Sequence, residues 1–174
     1  EYQAKAAESA ASTILMAASN LSFQDPSKVI VPSLATGKPI VSSAGHQGPN
    51  LPENAVDGIL GNESGWHCGE SPTSLTVDLG KEHPVNRVQV FPYHDGGRFY
   101  QYQVEASLDG KQWVQVVDAS ANTTRSNAQG HEHRFAVTPA RYLRLVMLKN
   151  SANPGVHVNE FLVFADGAAP GVKD

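Results

Sequence analysis

The chain has 174 residues, 40% of them apolar, with 13 basic and 17 acidic side chains and a net charge of −4 when histidine is neutral. That length lets one domain bury roughly 70% of its unfolded surface, so neither disulfides nor a metal are needed merely to hold a core. An acidic balance without charge runs excludes the clustered positive surface that nucleic acid or anionic lipid requires, and no apolar run approaches the roughly 20 residues that span a bilayer.

The expected partners therefore include no nucleic acid and no membrane. The first residue is Glu1 rather than Met or a basic leader, which is expected of a chain processed or cut from something longer. A single cysteine, Cys68, cannot form an internal bridge and says nothing about compartment.

In chain order, residues 1–29 come first, as a helix and linker. Ala4, Ala7, Ala11, Ala18 and Leu21 recur at helical steps, and Asn20, Ser22, Asp25 and Pro26 supply a stop. The spacing predicts one Ala-rich helix over residues 1–21, with a plain linker as the alternative. So narrow a stripe would pack closely on a partner surface or a neighbouring domain.

Residues 30–166 read differently. Short alternating runs separated by Gly, Pro, Asn and Asp indicate an all-β antiparallel sandwich or barrel of about eight strands. The predicted strands are 39–43, 74–79, 85–92, 100–108, 113–118, 133–137, 141–148 and 157–164. Leu75, Val77 and Leu79 alternate with Thr76 and Asp78, and Val104, Ala106 and Leu108 with Gln103, Glu105 and Ser107, so each strand has one buried and one wet face. Asp109-Gly110 predicts the turn of a hairpin leading to Trp113. Trp66 and Trp113 are expected in the core, and Cys68 as a small apolar filler. Residues 167–174 read as an exit tail.

Six segments in order resemble the discoidin or coagulation-factor type C domain, and in particular the bacterial family 32 carbohydrate-binding modules. They are LATGKPIVSS (34–43), ENAVDGILGNESGW (53–66), SLTVDLG (74–80), YQVEASLDGKQW (102–113), ARYLRL (140–145) and VNEFLVF (158–164). The resemblance covers residues 33 to 165 and leaves out the N-terminal helix. It implies a jelly-roll sandwich with function on the loops at one end. It also implies a non-catalytic, secreted module, at the cell surface, outside the cell or in the periplasm. Such a module binds a glycan and sits beside a catalytic domain in a longer chain.

Calcium is the cofactor the resemblance implies, in a structural role. Asp57 and Ser64 would supply side-chain oxygens, Glu160 a carboxylate from the last strand, and Asn54, Ile59 and Asn159 nearby carbonyls. Hard oxygens on a Gly-rich loop suit Ca²⁺, which takes six to eight of them. Glu160 lies between Val158 and Leu162 and needs a partner if buried. Trp66 follows Asp57 by two residues more than the family pattern, and Ser64 stands where Thr is commoner. The alternative is a polar turn with Asp57 as an Asx cap and Glu160 paired to an arginine.

Sugar recognition needs an aromatic face for the ring's C–H side and directional polar groups for its hydroxyls. FPYHDGGRFY (91–100) is the loop richest in both, and KNSANPGVHVNE (149–160) adds further amides. The resemblance implies a site built from His67, Tyr93, His94, Arg98, Asn150, Asn153 and His157. Each has a plainer reading: Tyr100 and Tyr102 as core, and Arg98 as a partner for Asp95.

No nucleophile motif, phosphate loop or paired-cysteine motif occurs, so no catalytic role is expected. His131-Glu132-His133 reads as a wet hairpin end rather than a metal cluster. The alternative function is a protein-interaction or assembly module of a larger extracellular protein.

Overall fold

The computed structural model describes residues 33–167, so the predicted N-terminal helix and the tail beyond Gly167 lie outside the described residues. Seven antiparallel strands follow in order: β1 (Ile40–Ser42), β2 (Trp66–Cys68), β3 (Thr73–Pro92), β4 (Tyr100–Ser107), β5 (Val114–Ala119), β6 (His131–Asn150) and β7 (Val156–Phe164). One 3₁₀ turn, Pro52–Val56, precedes β2.

Two long, bent strands turn one sheet into a sandwich. The first part of β3 pairs with β1 and with the second part of β6, as in Leu75 opposite Leu145. Its second part pairs with the first part of β6 and with β7, as in Val90 opposite Phe161. One layer is thus β1, β3, β6, β4 and β5, and the other is β2, β7, β3 and β6. The change of layer falls at the register break between Asp78 and His83, where exposed Gly80 adopts φ +86°.

The alternation read from the sequence sets the core except at the end of β4, where Ser107 is buried and Leu108, already past the strand, is exposed. Leu75, Val77, Leu79, Val104, Leu143, Leu145 and Phe161 point between the layers and are buried. Each such side chain contributes about 1.5–3 kcal/mol on removal from water. Cys68 fills space in this core, as expected.

The strand expectations differ from the fold in three places. Predicted strands 74–79 and 85–92 are one strand, and so are 133–137 and 141–148. The polar segment Lys81–Pro84 looks like a loop, but Pro84 keeps its place opposite Pro139. Strand β2 was not anticipated, because three residues carry no periodicity.

Trp113 is the correction to the expected core. It lies half-buried in the β4–β5 connection, with the Arg144 guanidinium 4.1 Å from its ring centroid. Arg144 in turn holds Glu105 at 2.6 Å. A cation satisfied by a ring face and a carboxylate suits the surface of a layer rather than its interior. The hairpin itself forms as predicted, with Gly110 at φ +71° and the Asp109 carboxylate accepting the Lys111 and Gln112 N–H groups.

Candidate functional site

At one end of the sandwich β3 and β6 finish while β4 and β7 begin. Four of the expected sugar-site residues meet there. His67 on β2 stands opposite His157 on β7, and their rings pack edge to face at 4.7 Å. Tyr93, just past β3, lies 6.3 Å from His67 and 5.8 Å from His157. Arg98 places its guanidinium 4.9 Å from the centre of the Tyr93 ring.

The β3–β4 loop folds around Asp95. One carboxylate oxygen accepts the Gly97 and Arg98 N–H groups, and the other accepts Arg98 Nε at 2.7 Å. These bonds hold Asp95 down at about 2. The plainer reading of Arg98 as a partner for Asp95 therefore holds, and the same pair aims the guanidinium at Tyr93.

Tyr100 is a core residue, as its plainer reading held, but its hydroxyl reaches the site. It lies 2.7 Å from His157 Nδ1, and the Arg98 guanidinium interacts with the same phenol. Burial pushes Tyr100 up to about 12, so it keeps its proton. Burial, with the neighbouring His67 and Arg98, pushes His157 down to about 4, and burial also lowers His67. The two imidazoles are therefore neutral at pH 7. Tyr100 is the polar group that sequence reasoning left out, because nothing local signals a bond across 57 positions.

The other expected residues take different places. Asn150 is buried, donating to Asn153 Oδ1 and the Gly155 carbonyl and accepting from the Ala152 N–H. Asn153 spends its oxygen on Asn150 and the Gly155 N–H. Both amides close the β6–β7 loop on itself, since buried polar groups must be bonded somewhere. His94 sits beside the cluster, and its backbone exchanges hydrogen bonds with the Asn62 amide.

Asn62 also accepts from Asn159 Nδ2 at 2.8 Å, which joins this cluster to the expected calcium loop. There, Asp57 accepts the Ser64 hydroxyl and the Ile59 N–H. Glu160 is fully buried on β7, with one oxygen on the Gly58 N–H at 3.1 Å. Its other oxygen, Oε2, has no hydrogen-bond partner, nor does buried Asn159 Oδ1. Burial and the Asp57 carboxylate push Glu160 up to about 8. The Asx turn of the alternative reading is present, but no arginine pairs Glu160 among the described ion pairs.

An orphaned buried carboxylate oxygen beside a second carboxylate and a hydroxyl fits a hard divalent cation. Asn54 is held near this loop by bonds from its amide to the Pro49 and Gly65 carbonyls. Among the described residues no three His, Cys, Asp or Glu side chains gather, so a cation here would draw on hydroxyl and carbonyl oxygens as well. His131-Glu132-His133 opens β6: His133 Nε2 meets the Tyr102 hydroxyl at 2.8 Å, and Glu132 pairs with Arg87 and Arg134.

No helix among the described residues is long and apolar enough to cross a membrane. Comparison with known proteins places the fold. The family 32 carbohydrate-binding module of AlyQ, solved with 4,5-unsaturated mannuronic acid, matches at TM-score 0.62 and 29% identity over 72% of this chain and 93% of its own. A Clostridium perfringens family 32 module, solved with GalNAc-β-1,3-galactose, shares the fold at TM-score 0.65 and 22% identity over 77% of this chain and 100% of its own. Among curated proteins, human BTB/POZ domain-containing protein 9 is 28% identical over 89 residues, 51% of this chain but 14% of that protein's length. The Drosophila melanogaster protein of the same name is 29% identical over 96 residues, 55% of this chain and 13% of its own length. The F5/8 type C domain profile matches residues 40–161, spanning the strands from β1 into β7. The chain therefore belongs to the F5/8 type C domain family.

Proposed function

We propose that this domain is a non-catalytic carbohydrate-binding module whose ligand site is the cluster of His67, Tyr93, His94, Arg98 and His157, with Asn150 and Asn153 shaping its wall. It would hold a larger glycan-active enzyme on its polysaccharide or glycoconjugate, outside the cell or in the periplasm. The observation that carries this reading is the Tyr93 ring flanked by two imidazoles and a guanidinium at one end of the sandwich. A ring face for C–H groups beside fixed polar donors is what a pyranose requires. The relatives solved with saccharides support it.

Calcium would sit in the Asp57–Ser64 loop against Glu160, with carbonyls of Asn54, Ile59 and Asn159 as further ligands, and would neutralise the buried carboxylate. Its role is structural, fixing the loop that Asn62 ties to His94.

The test is a calorimetric or NMR titration of the intact chain, in millimolar-order calcium, with a panel of mono- and oligosaccharides. Saturable binding that perturbs His67, Tyr93 and His157 is the expected result. Single-site affinity of roughly 10⁻³ to 10⁻⁵ M would suffice, because tethering multiplies it. Silence across the panel would overturn the reading in favour of a protein-docking module.

A further inference from the structure

The polar groups of the cluster are unequally divided between donors and acceptors. Asp95 has both oxygens engaged by the loop and by Arg98. Asn150, Asn153 and Asn62 have their amide oxygens committed to neighbouring N–H groups. The side-chain acceptors left in the cluster for a ligand hydroxyl are therefore ring nitrogens of His67 and His94 and the Tyr93 hydroxyl oxygen.

Donors are better supplied. Arg98 is held by Asp95 through Nε, so its two terminal nitrogens remain beside Tyr93 and Tyr100. Arginine has no acceptor, so His157 Nδ1, 2.7 Å away, is the neighbour that can take the Tyr100 hydrogen, and the bond is assigned in that direction. That bond makes Nε2 the proton-bearing nitrogen of the His157 ring, a second fixed donor. Arg125, bonded to the Gly96 carbonyl at 3.3 Å, brings another cation to the same loop.

The hydroxyls of a neutral sugar are best met by acceptors as well as donors. A carboxylate only accepts, and carries charge opposite to Arg98 and Arg125. We infer that the site takes acidic saccharides, binding the carboxylate of a uronic acid through Arg98 and His157 Nε2–H, with Tyr100 as the residue that positions His157. This rests on the loop-end reading of the sugar site and narrows its ligand class.

The experiment compares matched pairs by calorimetry in calcium: galacturonate with galactose, glucuronate with glucose, mannuronate with mannose. In at least one pair the acid should bind tenfold or more tightly, with the advantage shrinking as salt rises. Equal or tighter binding of the neutral member in every pair that binds would overturn the inference and leave the sugar-site reading standing. Absence of binding in all pairs would overturn both. Arg98→Gln should bring acid and neutral affinities close to parity. Tyr100→Phe, which keeps the ring in the core, supplies an independent readout. In the parent, imidazole ¹⁵N shifts should show His157 protonated at Nε2, and the variant should lose that preference along with several-fold of the acid affinity. A parent His157 protonated at Nδ1 would overturn the inference.

Discussion

Glu160 and Gly58 meet across 102 positions of sequence, the carboxylate on the last strand accepting the N–H of the loop that follows the 3₁₀ turn. One hydrogen bond is little for a fully buried carboxylate whose other oxygen has no partner. The cost of that arrangement depends on pH. In calcium-free protein Glu160 has its pKa raised from 4.5 to about 8, so the native state binds the extra proton between those values and stability falls as pH rises from 4.5 to 8. With calcium bound the carboxylate is wanted in its charged form, and the trend reverses or flattens. Thermal melts with and without chelator should thus differ more at pH 8 than at pH 5. Glu160→Gln should abolish the difference at both. A melting temperature indifferent to chelator at pH 8 would remove calcium from the account.

Gly65 adopts φ +152° where the same loop passes β7. A Cβ added there would lie 2.8 Å from the Val158 carbonyl and 2.9 Å from Asn159 Cα, both backbone atoms that cannot swing aside. Gly65→Ala should therefore push the loop off the strand that bears Glu160. The expected cost is about 1–3 kcal/mol, together with loss of the calcium response. Denaturant unfolding in calcium measures the first, and melts against chelator measure the second. A variant as stable as the parent would show that the loop is free to shift.

Much of this fold is legible in the sequence, because burial in a sandwich leaves a period of two. Leu75, Val77 and Leu79 announce a one-sided strand, and the structure buries all three. What escapes is whatever depends on a partner far along the chain. The Lys81–Pro84 segment is polar and looks like a loop, yet its last two residues, His83 and Pro84, pair with Ala140 and Pro139 of β6 and carry the strand out of the bend. Asn150 and Asn153 have the chemistry of sugar ligands, but residue type cannot reveal that their amides are spent on closing a loop. The bond from Tyr100 to His157 is hidden for the same reason. Composition names the donors of a site, while their partners are fixed only by folding.

Phe161 is fully buried between the layers, opposite Val90. It is also next to Glu160, so its side chain anchors the strand that carries the buried carboxylate. Phe161→Ala should cost about 3–5 kcal/mol, the usual loss for a large aromatic in a close-packed core. Urea unfolding with an unchanged slope would confirm a two-state loss of that size. A loss below about 1 kcal/mol would mean that the layers collapse onto the vacated space.

Trp113 and Arg144 provide the control that separates stability from ligand binding. Their contact lies on the layer containing β4, β5 and β6, among groups that none of the sugar-site residues touches. Arg144→Ala removes a cation from the ring face, about 0.5–1 kcal/mol at a partly exposed position. It also removes the Glu105 pair, worth about 0.2–1 kcal/mol more after solvent screening. Chemical denaturation should therefore register a loss of about 0.7–2 kcal/mol, while saccharide titration of the folded variant gives the parent's affinity. A weakened titration in a protein that still folds would mean that this face of the sandwich helps hold the ligand. The cluster around Tyr93 would then be only part of the site.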